Sequence, residues 1–274
     1  MGIYDLRQGA FTTRSNLGAG GINHCTWARD GACVATASGA VVVTAEGAVK
    51  YKFTQHAGAA TAVAAHPQGE ILASVGVDKS FVLYDLHNGQ ALTQIFSDSG
   101  ELTAGTYEAS VCMLISFAVL TTATFHPDGH LLAVGAADGT IKLYDVKTCQ
   151  LAHTFPSPAG AYPVVGLNFS ENGTWLASAQ GGQTSVTVWD LRKLAALKTL
   201  EIGAAVNGIS WDYTGQFLAV SGPGGVVVCQ YSKSAKAWSE PLRKGVSAVD
   251  VKWGANAKSL VALTGEGAVS VLSA

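Results

Sequence analysis

The sequence predicts an all-β protein built from repeated four-stranded sheets, on three recurring observations. A turn that ends in glycine recurs as "ARDG", "HPQG", "HPDG", "SENG" and "DYTG". Most of these turns are followed by a strand rich in Leu, Ala and Val, such as "LLAVGA". A later strand ends in a ring and a carboxylate, as in "FVLYD", "IKLYD" and "VTVWD". A fourth, more variable strand, such as "ALTQIF", completes each repeat.

Four strands in about 40–45 residues, with a Trp-Asp ending, are typical of the blades of a WD40 β-propeller. One blade is too small a sheet to bury both of its faces, so neighbouring blades stack and shield each other. The glycines that end the turns are 38, 60, 44 and 42 residues apart, at Gly31, Gly69, Gly129, Gly173 and Gly215. Six repeats are predicted, beginning near Ile22, Ala60, Thr121, Val164, Val206 and Val246.

The two ends of the chain predict an incomplete ring. Residues 1–14 supply only the last two strands of a blade, and the last repeat stops at "AVSVLSA" without its fourth strand. The sequence therefore predicts one propeller domain over residues 1–274, of the seven-bladed type, with six repeats and a partial first blade. Uncovered strand edges at this gap would favour aggregation.

The 60-residue interval contains an insertion between blades, over residues 101–120. Its second half, Val111–Leu120, has Ser116 as its one polar residue. Ten residues are too few to span a membrane as a helix, which needs about 20. Three interpretations stay open: a strand along a sheet edge, a partner-binding patch, or translated non-coding sequence from an unspliced intron.

Composition excludes several classes of function. The net charge is −2 without a run of like charges, so no direct binding of nucleic acid is expected. The N-terminus lacks a signal-peptide pattern. The five cysteines include no Cys-x-x-Cys pair, which favours reduced thiols in an intracellular protein. No membrane association is expected.

The polar residues of the repeats favour structural roles over catalysis. His66 and His126 occupy the same place in two turns, where they would cap the turn. His56 stands where a WD40 blade often places a histidine that bonds a buried aspartate, and Asp78 and Asp138 would tie down the turns before the third strands. Inner strands such as "TAVAAH" and "NGISW" carry almost no charge. No catalytic residue, metal site, cofactor or small-molecule substrate is predicted.

Two segments, "FHPDGHLLAVGAADGTIKLYDVKT" and "LNFSENGTWLASA…VTVWDLRKL", resemble the C-terminal propeller of the pre-mRNA-processing factor nineteen family, as does the ending "VKWGANAKSLVAL". Members of that family are nuclear U-box ubiquitin ligases that organise a spliceosome-activating complex. The resemblance implies a partner-recognition domain whose partners are splicing-complex subunits and ubiquitylation substrates, with possible roles in DNA repair. It places the U-box, and the coiled coil through which the family oligomerises, upstream of these residues.

Partner contacts are expected on the loops between second and third strands and on those that join blades, since loops on a rigid scaffold carry binding function. The predicted contact residues are His56, Asp78, Lys79, Asp138 and Gln183. Another intracellular WD40 scaffold, in a chromatin or signalling complex, is the alternative. A propeller enzyme would need carboxylates and histidines at the mouth of a central channel, which the inner strands do not supply.

Overall fold

The fold is taken from a computed structural model, which describes residues 2–5, 10–14, 21–29, 31–97, 119–158, 160–254 and 259–273. All regular elements of these residues are β-strands, as the sequence predicts. The contacts within the chain divide it into two compact units, Met1–Ala123 with Asp145–Gln150, and Thr124–Tyr144 with Leu151–Ala274.

Strands pair in chain order within every sheet. The first unit contains a two-stranded sheet of β1 (Gly2–Asp5) and β2 (Ala10–Arg14). Its first four-stranded sheet consists of β3 (Ile22–Ala28), β4 (Gly31–Thr36), β5 (Gly39–Thr44) and β6 (Val49–Phe53). The next consists of β7 (Ala60–Ala65), β8 (Ile71–Gly76), β9 (Ser80–Asp85) and β10 (Gln90–Phe96).

The following sheets continue the same pattern. The third four-stranded sheet consists of β11 (Leu120–Phe125), β12 (Leu131–Ala136), β13 (Ile141–Asp145) and β14 (Leu151–Phe155). The fourth consists of β15 (Val164–Phe169), β16 (Trp175–Gln180), β17 (Ser185–Asp190) and β18 (Ala195–Glu201). The fifth consists of β19 (Gly208–Trp211), β20 (Phe217–Gly222), β21 (Gly225–Ser232) and β22 (Ala237–Lys244). A three-stranded sheet of β23 (Asp250–Trp253), β24 (Ser259–Leu263) and β25 (Val269–Ser273) ends the series.

The predicted repeats are confirmed with small shifts of their starts. The last repeat, predicted from Val246, begins its first strand at Asp250, and among the described residues it has three strands, as expected. The predicted insertion at 101–120 lies outside the described residues except for its last two positions. Leu120, the last of these positions, is buried and begins β11.

Burial explains the composition of the strands. Every residue of β4 is buried, and five of the six residues of β8, β16 and β20 are buried. A strand covered on both faces has to be apolar at consecutive positions instead of alternating positions. The outer strand β18 is exposed at all positions but Leu200, which accounts for the variable fourth strand.

Each unit has its own core. In the first unit it joins both four-stranded sheets, through residues that include Val42, Phe53, Leu72, Val82 and Tyr84. The second unit contains three hydrophobic clusters. One surrounds Leu143, Phe155 and Trp189, a second surrounds Trp211, and a third surrounds Val251.

Four of the five turn glycines have a left-handed backbone, whereas Gly31 begins β4 with a φ of 159°. Gly69, Gly129, Gly173 and Gly215 have φ angles between 65° and 78°, a region that residues with a Cβ seldom adopt. The predicted turn-capping by histidine is also confirmed. The N–H of Gln68 donates to Nδ1 of His66, and the N–H of Asp128 donates to Nδ1 of His126.

Candidate interaction surface

A buried histidine holds the loop between β6 and β7. The side chain of His56 has no exposed surface, and its Nδ1 lies 2.9 Å from Oδ1 of Asp78. Its Nε2 lies 2.7 Å from the hydroxyl of Ser74 on β8. The predicted pairing of His56 with a buried aspartate is therefore confirmed, and the imidazole connects one loop to a neighbouring strand and to a second loop.

Asp78 joins that loop to the turn between β8 and β9. Its carboxylate accepts a hydrogen bond from the N–H of Ala57 at 2.9 Å and another from the N–H of Ser80 at 3.2 Å. Burial alone would raise the pKa of Asp78, but the hydrogen bonds from Ala57, His56 and Ser80 outweigh it and lower the pKa below its ordinary value. The ionised carboxylate is thus the form that the two loops are built around.

The hydrogen-bond network continues into the sheet through Ser74 and Tyr84, which the sequence analysis did not connect with His56. The hydroxyl of Ser74 lies 3.0 Å from that of Tyr84, whose ring stacks on Phe53 with centroids 4.1 Å apart. Burial raises the pKa of Tyr84 to about 12, so its hydroxyl stays protonated near neutral pH. A serine inside the apolar segment "ILASVG" was the available sequence signal, because a buried hydroxyl requires a partner.

Lys79 adopts a backbone conformation that disfavours its side chain. Its φ angle is 64°, and its N–H donates to the carbonyl of Gly76 to close the turn. The corresponding turn of the sheet β11–β14 has Gly139 at this position, with a φ of 85°. Left-handed backbone costs a residue with a Cβ roughly 1–2 kcal/mol. The chain therefore keeps a lysine where a glycine would be less strained.

Asp138 repeats the turn chemistry of Asp78 in the second unit. One oxygen of its carboxylate accepts hydrogen bonds from the N–H and the hydroxyl of Thr140, at 2.9 and 2.7 Å. The same oxygen of Asp78 accepts from the N–H and the hydroxyl of Ser80. This confirms that both aspartates tie down their turns.

Gln183 lies in a differently built turn of the second unit. Its N–H donates to the carbonyl of Gln180, and its own carbonyl accepts from the N–H of Val206. The glycine with a positive φ is here Gly182, one position earlier than in the turn of Gly139. The structure thus brings His56, Asp78 and Lys79 together, and places Asp138 and Gln183 in separate turns. Their contact with a partner stays a prediction.

The described residues contain no group of three or more His, Cys, Asp or Glu side chains that could hold a metal ion. Within the same residues no helix has the length and apolar character to cross a bilayer. Burial raises the pKa of Cys33 to about 12 and that of Cys229 to about 11, so neither thiol ionises near neutral pH.

Comparison with known families identifies the repeat. A model of the "WD domain, G-beta repeat" matches residues 47–85, and one of the "Anaphase-promoting complex subunit 4 WD40 domain" matches residues 116–172. A chain in the crystal structure of a mitotic checkpoint complex superimposes with a TM-score of 0.80 at 11% identity, over 99% of this chain and 80% of that one. At that identity the likeness concerns the fold alone, which is an all-β WD40 β-propeller with six blades among the described residues.

Several curated relatives share one name, pre-mRNA-processing factor 19. The protein of Oryza sativa subsp. japonica is 32% identical over 170 residues, which are 61% of this chain and 28% of that protein. The Bos taurus protein is 33% identical over 190 residues, with 68% and 33% covered. The Caenorhabditis elegans protein is 30% identical over 223 residues, with 80% and 41% covered. The chain thus spans well under half the length of these relatives.

Proposed function

Starting from a WD40 propeller homologous to pre-mRNA-processing factor 19, we propose that the chain is a protein-interaction platform of the splicing machinery. It acts as the recognition domain of a spliceosome-associated U-box ubiquitin ligase in the nucleus. The observation that carries this proposal is sequence identity of about 30% to pre-mRNA-processing factor 19 proteins, over 61–80% of the chain. Ubiquitin transfer belongs to a U-box module outside the propeller, and a role in DNA repair is compatible with the same platform.

The sheets support a ring of blades as the architecture of the proposal. Five sheets have four strands and the last has three among the described residues, while β1 and β2 form a two-stranded sheet at the other end of the chain. We propose that β1 and β2 are the outer half of a seventh blade. In a propeller each blade is covered by its neighbours.

The partner surface includes the loop pair fixed by His56 and Asp78. The imidazole of His56 and the carboxylate of Asp78 lie beneath this surface and support it, because their side chains are only 0% and 8% exposed. They hold the turn that presents Lys79 in its strained conformation. Left-handed backbone also occurs at Cys149, Leu194 and Lys236, but Lys79 is the one residue of the three predicted contacts here that adopts it, which favours Lys79 as the contacting residue.

Affinity purification from nuclear extract tests the proposal. The tagged chain is expected to recover splicing-complex proteins, identified by mass spectrometry. Lys79→Gly should lower that recovery severalfold while the free energy of unfolding stays within about 1 kcal/mol of wild type, because relieved strain offsets the added chain entropy. Lys52→Ala is the matched control, since it removes an exposed lysine from β6 of the same unit.

One outcome would contradict the splicing assignment, and another would contradict only the role of Lys79. Recovery of a chromatin or signalling complex in place of splicing proteins supports the alternative WD40 scaffold. Equal recovery by wild type and Lys79→Gly removes Lys79 from the partner surface but leaves the splicing assignment intact.

A further inference from the structure

Two adjoining cavities of the first unit form a groove beside the turns that leave β3, β7 and β9. One cavity, of about 470 Å³, is lined by residues that include Trp27, Arg29, Ala65 and Pro67. The other, of about 550 Å³, is lined by residues that include Glu70, Asp85 and Leu92. Arg29 and Gly69 line both cavities, so an occupant that reaches both has to pass Arg29. None of these residues belongs to the loop pair of His56 and Asp78.

Trp27 departs from the pattern of its repeat. A ring ends the first strand of several other sheets, and there it is 6–7% exposed, at Phe125, Phe169 and Trp211. Those rings have covers: the imidazole of His126 meets Phe169 edge-on at 5.1 Å, and Trp175 lies 6.0 Å from Trp211. Trp27 is 58% exposed. An exposed tryptophan at the wall of a cavity is the kind of anchor on which protein interfaces concentrate binding energy.

Arg29 supplies a positive charge in the middle of the groove. It is exposed and forms no ion pair with any residue that the structure describes. Its stem lies against Gly69, where an added Cβ would come within 2.6 Å of the Arg29 Cβ. Its guanidinium offers a fork of N–H donors, which matches the geometry of a carboxylate.

The second cavity limits what the occupant can be. Leu92, at its edge, is 54% exposed, and Leu86 is buried there. The carboxylate of Asp85 is already used, since it accepts the N–H of His87 at 2.7 Å. Glu70 is exposed and adds a second negative charge. Two carboxylates repel a phosphate backbone, and they also disfavour a run of acidic residues.

We propose that this groove binds an extended peptide segment of a partner protein, in which a single acidic residue lies between apolar ones. One apolar side chain covers Trp27, the carboxylate pairs with Arg29, and a second apolar side chain packs on Leu92. The groove floor is preformed, because the N–H of Leu86 donates to the carbonyl of Glu70 and the hydroxyl of Tyr51 donates to the carbonyl of His87. Preformed sites lose less entropy on binding.

Selection from a random heptapeptide phage library tests the proposal. Phage are selected on the immobilised chain after depletion on a Trp27→Ala/Arg29→Ala double variant. The enriched peptides are expected to share one Asp or Glu flanked by apolar residues. Affinity of the synthetic consensus peptide, measured by fluorescence polarisation, should fall at least about tenfold in each single variant.

Controls and a charge swap make the result decisive. Tyr213→Ala removes an aromatic side chain from a residue that is as exposed as Trp27, at 58%, and Lys233→Ala removes an exposed cation. Neither residue lines the groove, so both variants should change the affinity less than about twofold. The Arg29→Glu variant should not bind the consensus peptide. It should bind a version of that peptide in which lysine replaces the acidic residue. Peptides without an acidic residue, or no enrichment over the double variant, would overturn the proposal. So would a concentration-dependent dimer that Trp27→Ala abolishes, because the occupant would then be a second copy of the chain.

Discussion

Two sheets, β7–β10 in the first unit and β15–β18 in the second, place a serine and a ring at matching positions but hold their loops differently. In the first, Ser74 and Tyr84 connect to His56 and Asp78, which bind two loops together. In the second, the indole N–H of Trp189 donates to the hydroxyl of Ser178 at 2.9 Å. Among the described residues no histidine extends this hydrogen-bond network to a loop.

The second sheet fixes its neighbouring loop with an amide. Nε2 of Gln180, at the end of β16, donates to the hydroxyl of Ser157 at 2.6 Å. Both sheets share the apolar inner strands and the serine–ring contact, while the loop-holding groups differ. Both sheets thus form on apolar inner strands, whichever group holds the loop. The charged network is an addition, found where the turn presents a strained lysine.

The largest expected effect comes from His56→Ala. Removing the imidazole leaves the Asp78 carboxylate and the Ser74 hydroxyl without their shared partner and opens a cavity. We expect a loss of about 3 kcal/mol in the free energy of unfolding, measured by urea titration. Gln180→Ala in the second sheet should cost about half as much, because it removes a neutral amide.

His87→Ala is the matched control for the first unit, since this histidine is exposed and should change stability by less than about 0.5 kcal/mol. Equal losses in His56→Ala and Gln180→Ala would contradict the distinction between the two sheets.

The fold and part of the site were predictable because they depend on local patterns. The repeat period and the glycine turns follow from residues at fixed spacings within one repeat. The bond of His56 to a buried aspartate was expected from the position that His56 occupies just before the next repeat. The exposure of Trp27 was not predictable, because a ring is buried or exposed according to what the neighbouring sheet supplies. The contact of Gln180 with Ser157 was not predicted either, because, unlike His56, neither residue is of a type that marks this position in the sequence.

A smaller effect distinguishes two buried tryptophans of the second unit. Trp189 and Trp211 are 4% and 6% exposed, but the indole N–H of Trp211 has no hydrogen-bond partner among the described residues. Trp189→Phe should lose about 2 kcal/mol through its cavity and the lost bond to Ser178. Trp211→Phe creates a similar cavity but also removes an unsatisfied donor, so it should cost about 1 kcal/mol less.

Chemical denaturation of the two variants measures this difference directly. If Trp211→Phe proved as costly as Trp189→Phe, an acceptor for the Trp211 indole would have to exist, such as an ordered water molecule.

The smallest expected effect is the pH dependence that Asp78 gives to the first sheet. The folded protein holds the pKa of Asp78 below its ordinary value, so its stabilising contribution is fully present above the unfolded pKa of about 4. The contribution is lost as the pH falls through the lower, folded pKa. Asp78→Asn removes the charge but keeps the shape, and should be about 1 kcal/mol less stable than wild type at pH 7.

That gap should stay constant between pH 7 and about pH 5 and then close in acid, because protonated wild type and the amide variant both lack the charge. Asp138→Asn is the comparison, since Asp138 bonds the Thr140 side chain and N–H but has no bond to a histidine among the described residues. Urea unfolding at a series of pH values measures both gaps. A gap for Asp78→Asn that persists unchanged at pH 3 would contradict the lowered pKa of Asp78, because protonation of the wild-type carboxylate would then not have reduced its advantage over the amide.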